Sequence, residues 1–137
     1  MTLNKIKKFT VFTLLFAVLF GCTTESKVDY QLHRASVDMA KANRQFQLAD
    51  NSFYDGNDNA AMNHLSKGLN LTQTALDHMS KAEDEAYEGA SNEIDKGNSE
   101  LQKSLDEYNS GNADSAEKHY DKALDHYDKA LDLLDFD

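Results

Sequence analysis

Proline is missing from all 137 residues of this chain, tryptophan is missing as well, and cysteine occurs once. Without proline nothing removes a helical N–H or clashes with the preceding turn, so long uninterrupted helices are open to the chain. A single cysteine cannot close an intrachain disulfide, so stability must come from packing. Long hydrophobic runs are missing too. The longest, Phe9 to Phe20, is about a dozen residues, short of the roughly 20 that span a bilayer as a helix. Basic residues are scarce beside acids: 14 Lys and Arg face 24 Asp and Glu, a net charge of −10. That balance argues against nucleic acid as a partner and against lying flat on anionic headgroups. No nucleophile stands in a recognisable catalytic motif, so the chain is not expected to be an enzyme.

What is present begins at the N-terminus. Lys5, Lys7 and Lys8 precede the apolar run, which ends in Leu19-Phe20-Gly21-Cys22. A basic start and a short apolar stretch have the form of a secretory signal. The last four residues resemble the lipobox of bacterial lipoproteins, with apolar Leu19 at −3 and small Gly21 at −1. The resemblance implies that residues 1–21 are a signal peptide cleaved before Cys22, and that the Cys22 thiol carries lipid, palmitate being the usual acyl group. Residues 22–27 would be the lipidated cysteine and a tether. Thr23 resembles the outer-membrane sorting context, so the expected address is the extracytoplasmic face of the envelope, on the outer membrane where the host has two. Covalent lipid on Cys22 is the one prosthetic group expected. Removing residues 1–21 leaves 116 residues with 14 − 3 = 11 bases and 24 acids, a net of −13.

The rest, residues 28–137, reads as one helical domain. Apolar or small residues recur at alternating spacings of four and three, the signature of a seam between supercoiled helices. A first helix carries Val28, Leu32, Ala35, Met39, Ala42, Phe46, Ala49 and Phe53. A second carries Ala61, Leu65, Gly68, Thr72, Ala75, Met79, Ala82 and Ala86. A third carries Ala90, Ile94, Gly97, Leu101, Ser104 and Tyr108. A fourth carries Ala116, Tyr120, Ala123, Tyr127, Ala130 and Leu134. Breaks fall at Asp55-Gly56-Asn57-Asp58 and Ser110-Gly111-Asn112-Ala113, where glycine can end one helix and Asn or Asp can cap the next. Between the second and third helices the seam phase slips, and Gly89 with Ser91 and Asn92 is the expected turn.

The second half repeats the first. A shift of 55 residues brings Met39 onto Ile94, Phe46 onto Leu101, Gly56-Asn57 onto Gly111-Asn112, and His64 and Lys67 onto His119 and Lys122. The expected fold is therefore all-α, a duplicated helical hairpin (28–88 and 90–136) packed as an antiparallel four-helix bundle. The alternative is a long central helix with two flanking helices folded onto it. Gly97 aligns with Ala42, inside the first helix, so it reads as a seam residue. Small residues hold one seam position and mostly large ones the other, a pattern suited to interdigitated layers. Residues 104–124 also resemble part of a tetratricopeptide repeat. Gly111, Ala116, Tyr120, Ala123 and Leu124 match the spacing of its turn and second helix, and Gly56, Ala61, Leu65, Gly68 and Leu69 match it in the first copy. The resemblance implies shared packing rules and carries no ligand-binding residues over.

Candidate binding residues are few. Asp121, Asp125, Asp128, Asp132 and Asp135 line one face of the fourth helix, either as a docking or cation surface or as a solvated face offset by Lys118, Lys122 and Lys129. Of the five histidines, His119 and His126 are seven residues apart, about 10.5 Å along a helix, too far to share one metal ion. Each flanks the seam, as a residue that partly covers the core does. Tyr108, Tyr120 and Tyr127 are expected to bury their rings and leave their hydroxyls at the edge. The expected function is a membrane-anchored lipoprotein with a protein-interaction or structural role at the cell envelope. The alternative is a bundle that binds metal or a small ligand. The expected partners are the membrane, through the lipid, and another protein, with homo-oligomerisation left open.

Overall fold

A computed structural model of the chain describes residues 27–82 and 87–134. They form four helices: α1 (Lys27–Tyr54), α2 (Asp58–Ala82), α3 (Glu88–Asn109) and α4 (Ala113–Leu134). No strand occurs among the described residues.

The two hairpin turns are the same turn built twice. Gly56 and Gly111 take the left-handed conformation, with φ of 73° and 84°, that a side chain would resist. Gly56 N–H donates to the Phe53 carbonyl (3.0 Å), and Asn57 N–H reaches back to Ser52 (2.8 Å). In the second copy Gly111 N–H donates to Tyr108 (2.9 Å) and Asn112 N–H to Glu107 (2.9 Å). Each pair satisfies the carbonyls that a helix end leaves open, in the Schellman pattern. Asn57 then caps α2, its Oδ1 accepting from Ala60 N–H at 3.2 Å. The equivalent Asn112 differs: its side chain donates to Glu107 Oε2 (2.9 Å).

The seam read from the sequence forms the core, except that Phe53 and Tyr108 at the hairpin tips are half-buried and Ala86 lies outside the described residues. Leu32, Ala35, Met39, Ala42, Phe46 and Ala49 of α1 are all buried, as are the seam residues of α2 from Ala61 to Ala82. Ala90, Ile94, Gly97, Leu101 and Ser104 of α3 join them, with Ala116, Tyr120, Ala123, Tyr127 and Ala130 of α4. Gly97 is a seam residue, as its alignment with Ala42 requires. The expected turn at Gly89, Ser91 and Asn92 is not there: all three lie inside α3, which starts at Glu88. Glycine is tolerated in a first helical turn, and the chain is already helical at all three positions.

The two hairpins close on each other. Thr72 of α2 and Asn98 of α3 hydrogen-bond although their connection lies midway between them in sequence, so α2 and α3 run antiparallel, side by side. A continuous central rod would put those residues far apart, and that alternative is excluded. On the other side α1 meets α4 through the stacked rings of Phe46 and Tyr127 (centroids 5.6 Å apart, planes 15° from parallel). The Tyr120 hydroxyl also donates to Asp50 Oδ1 (3.0 Å).

Two glycines seat those rings. A Cβ at Gly68 would run into the edge of the Phe46 ring, and one at Gly97 would stand 2.5 Å from Tyr127 Cε1. One edge of each ring packs against the backbone of its hairpin partner, which lets the two meet at the centre. Beside them sits a buried polar cluster. The Tyr127 hydroxyl donates to Asn98 Oδ1 (2.8 Å), and Thr72 Oγ1 lies 2.5 Å from the same oxygen and 2.9 Å from the Leu69 carbonyl. The Tyr127 hydroxyl is thus inside the bundle, not at its edge as the sequence suggested, because Asn98 offers an acceptor there.

Gly68→Ala and Gly97→Ala should each lower stability by about 1–3 kcal/mol through overpacking, although alanine is the better helix former by roughly 1 kcal/mol. Gly89→Ala, whose Cβ would meet only Leu133 at an ordinary 3.5 Å, should be neutral or stabilising. Thermal unfolding followed by circular dichroism checks all three, and a Gly68→Ala protein as stable as the parent would refute the seating of the ring.

Candidate functional sites on the bundle

Four histidines bridge the helices within a hairpin. His64 Nδ1 bonds Gln45 Oε1 (2.8 Å) and His78 Nδ1 bonds Gln31 Oε1 (2.7 Å), both between α2 and α1. His119 Nδ1 bonds Glu100 Oε2 and His126 Nδ1 bonds Glu93 Oε2, each at 2.7 Å, between α4 and α3. Each bond runs from Nδ1–H to an oxygen on the facing helix. The pairs Gln45–His64 and Glu100–His119 are one pair seen 55 residues apart. The rungs recur every seven or fourteen residues because that spacing returns a side chain to the same edge of the seam. The histidines are half-buried, as expected of residues covering the core. Their partners were not legible, because pairing across a hairpin depends on register.

The second hairpin carries charge where the first carries amides. Glu93 takes a hydrogen bond from Lys96 as well as from His126, and Glu100 one from Lys103 as well as from His119. These bonds, the lysine's first, hold both carboxyls down to about 2. In the first hairpin His78 Nε2 stands 3.7 Å from Asp38 Oδ2.

Asp50 is the opposite case. Burial pushes its carboxyl up to about 6, against the smaller lowering from the Tyr120 hydrogen bond. Tyr120 is in turn raised well above its usual value, by burial first and by Asp50 next. Asp50 lies off the seam pattern, at the repeat position that Leu105 holds in α3, and only the packing of α1 on α4 marks it.

The acidic stripe lies where the spacing put it. Asp121, Asp125, Asp128 and Asp132 are all exposed along α4, with Lys118, Lys122 and Lys129 exposed beside them. Partial burial, then Asp125 and Asp132, raise the Asp128 carboxyl. Asp135 and Cys22 fall outside the described residues. Among the described residues no three His, Cys, Asp or Glu side chains come together as a metal site would need, and no helix is long and apolar enough to cross a membrane.

One feature was not read from the sequence. A groove of about 330 Å³ opens between α2 and α3 near the hairpin tips. Its walls come from two helices whose mutual register the sequence did not state.

No family model, curated protein or solved structure matches this chain.

The pKa shifts fix two limbs of the pH–stability curve. Glu93 and Glu100 titrate lower folded than unfolded, so their contribution is complete above about 4.5 and is lost as pH falls toward about 2. Glu93→Gln with Glu100→Gln should flatten that acid limb in a series of thermal melts. Asp50 titrates higher folded than unfolded, so its contribution is greatest below 3.8 and is lost as pH rises through about 6. Asp50→Asn keeps an acceptor for Tyr120 and removes the buried charge. It should raise the melting temperature at pH 7.5 and leave it little changed at pH 4; equal gains at both would contradict the burial account.

Proposed function

We propose that this chain is a lipid-anchored protein of the bacterial cell envelope, its bundle a protein-interaction or structural module held on the extracytoplasmic side. The observation that carries the reading is the order Lys5-Lys7-Lys8, apolar run, Leu19-Phe20-Gly21-Cys22. Thr23 directs the proposal to the outer membrane where the host has two. Acyl chains add about 0.8 kcal/mol per buried CH₂, so several together hold a protein on the bilayer nearly permanently. Helix α1 starts at Lys27, five residues after Cys22, so the bundle would begin within roughly 17 Å of the anchor.

The bundle suits such a place. Its apolar seams are spent on one another, and its exposed carboxylates are repelled by anionic headgroups, which favours standing off the membrane. The work left to such a body is contact with another macromolecule or support. No observation among the described residues favours the metal-binding alternative.

Full-length protein produced in a bacterial host with an alkyne-labelled palmitate should take up the label and stay with the membranes through a high-salt wash. Cys22→Ser should abolish labelling. A parent protein that stays unlabelled and washes off would sink the proposal.

A further inference from the structure

We infer that the groove between α2 and α3 binds an extended, uncharged stretch of peptide main chain, with one apolar side chain resting on the groove floor. The inference deepens the protein-interaction reading and rests on it for the partner being a protein.

The lining of the groove matches a peptide main chain in its chemistry. In a chain with 24 acids and 14 bases, no charged residue lines this groove. Its rim carries four exposed carboxamides, Asn63 and Asn70 on α2 with Gln102 and Asn109 on α3, and its floor is the buried pair Leu69 and Leu105. A carboxamide has an acceptor oxygen and two donor hydrogens, the complement of a peptide C=O and N–H. The amides of Asn63, Asn70 and Asn109 make no hydrogen bond to another described side chain, and Gln102 uses one donor on Asp106 (3.0 Å) and keeps its oxygen.

The spacing of the rim amides matches an extended chain as well. The two amides on each helix are seven residues apart, about 10.5 Å at 1.5 Å per residue. Because α2 and α3 are antiparallel, Asn63 and Asn109 stand at one end of the groove and Asn70 and Gln102 at the other. Three residues of extended chain cover about 10 Å, so main-chain groups that far apart meet the two amide pairs together. Small Ser66 lies between the pairs on α2, which leaves room above Leu105 for one side chain. A volume near 330 Å³ is at the small end of ligand pockets and suits only a few residues. No aromatic ring lines the groove to stack on a sugar, which sets a glycan aside.

The repeat supplies a contrast. Shifted by 55, Asn63, Ser66, Asn70 and Leu105 correspond to Lys118, Asp121, Asp125 and Asp50. The α4 side of the equivalent strip is charged, while Gln47 and Tyr54 of α1 stand for Gln102 and Asn109, so the neutral rim on α2 is not a by-product of helix packing. The groove also lies toward the hairpin tips, the end opposite the one where α1 begins and α4 finishes. On an anchored protein that is the end facing away from the bilayer.

The test uses the full chain in detergent micelles, with ¹⁵N in its Asn and Gln side chains, titrated with acetyl-Ala-Leu-Ala-amide. The NH₂ signals of Asn63, Asn70, Gln102 and Asn109 should move together. Acetyl-Ala-Asp-Ala-amide should bind at least about tenfold more weakly, since the floor cannot solvate a carboxylate. Ser66→Arg and Asn70→Arg, both at exposed positions, should each weaken the titration by about tenfold or more by filling the groove, while Asp121→Arg at the repeat counterpart leaves it unchanged. Four unmoved amides, a response that survives both groove variants, or a response to an N-acetylated glycan fragment in place of the peptide would overturn the inference. So would a membrane partner that crosslinks equally well to Ser66→Arg, and that result would leave the protein-interaction reading standing.

Discussion

The stack of Phe46 on Tyr127 is the constraint on which the rest of this bundle depends. Two helical hairpins, each closed by its own Schellman turn, have to be held in one relative register. Coiled-coil seams of alternating small and large residues do this poorly, because a slip of one heptad replaces like with like. The stack breaks that degeneracy. It needs a glycine beneath each ring, and the two central glycines, Gly68 and Gly97, lie on different hairpins at different repeat positions. Each glycine seats its ring within its own hairpin, and the stack of the two seated rings then fixes how one hairpin is placed along the other.

The polar cluster beside the stack adds direction to the same restraint. Thr72, Asn98 and Tyr127 come from three helices and meet within hydrogen-bonding distance. A buried carboxamide is costly unless partnered, so a slipped register that separated Asn98 from these hydroxyls would lose the bonds and keep the desolvation cost. The repeat equivalents of Thr72 and Tyr127 differ: Tyr127 occupies the place of Thr72 in the second copy. Duplication supplied the frame, and divergence at its centre made the two halves fit each other.

The same divergence shapes the outside. Gln45 with His64 corresponds to Glu100 with His119, an uncharged rung in one hairpin and a charged one in the other. The strip containing Asn63, Ser66 and Asn70 stands opposite one containing Lys118, Asp121 and Asp125. Two strips related by the repeat therefore present different chemistry from one backbone plan. One lines the neutral groove, with its apolar floor of Leu69 and Leu105. The other carries the acidic face and Asp50, whose carboxyl is pushed up by burial against α4.

The amino-acid sequence by itself determined the helices, the seam and the hairpin turns. Those features depend on contacts between residues three, four or seven apart and on glycines at left-handed positions, all within reach of a local rule. It also placed Gly97 in a helix, through the repeat, while misplacing the turn at Gly89, because glycine in a first helical turn is only weakly penalised and does not by itself mark a turn. The exposed positions of Asp121, Asp125, Asp128 and Asp132 followed from their period alone. Only the tertiary structure decided which side chains face one another: the oxygens that meet the histidines, the acceptor that keeps the Tyr127 hydroxyl inside, the burial of Asp50 and the amide-rimmed groove. Each of these joins residues from two or three helices. Such pairings are set by the register in which whole helices pack, and spacing along one helix does not contain it.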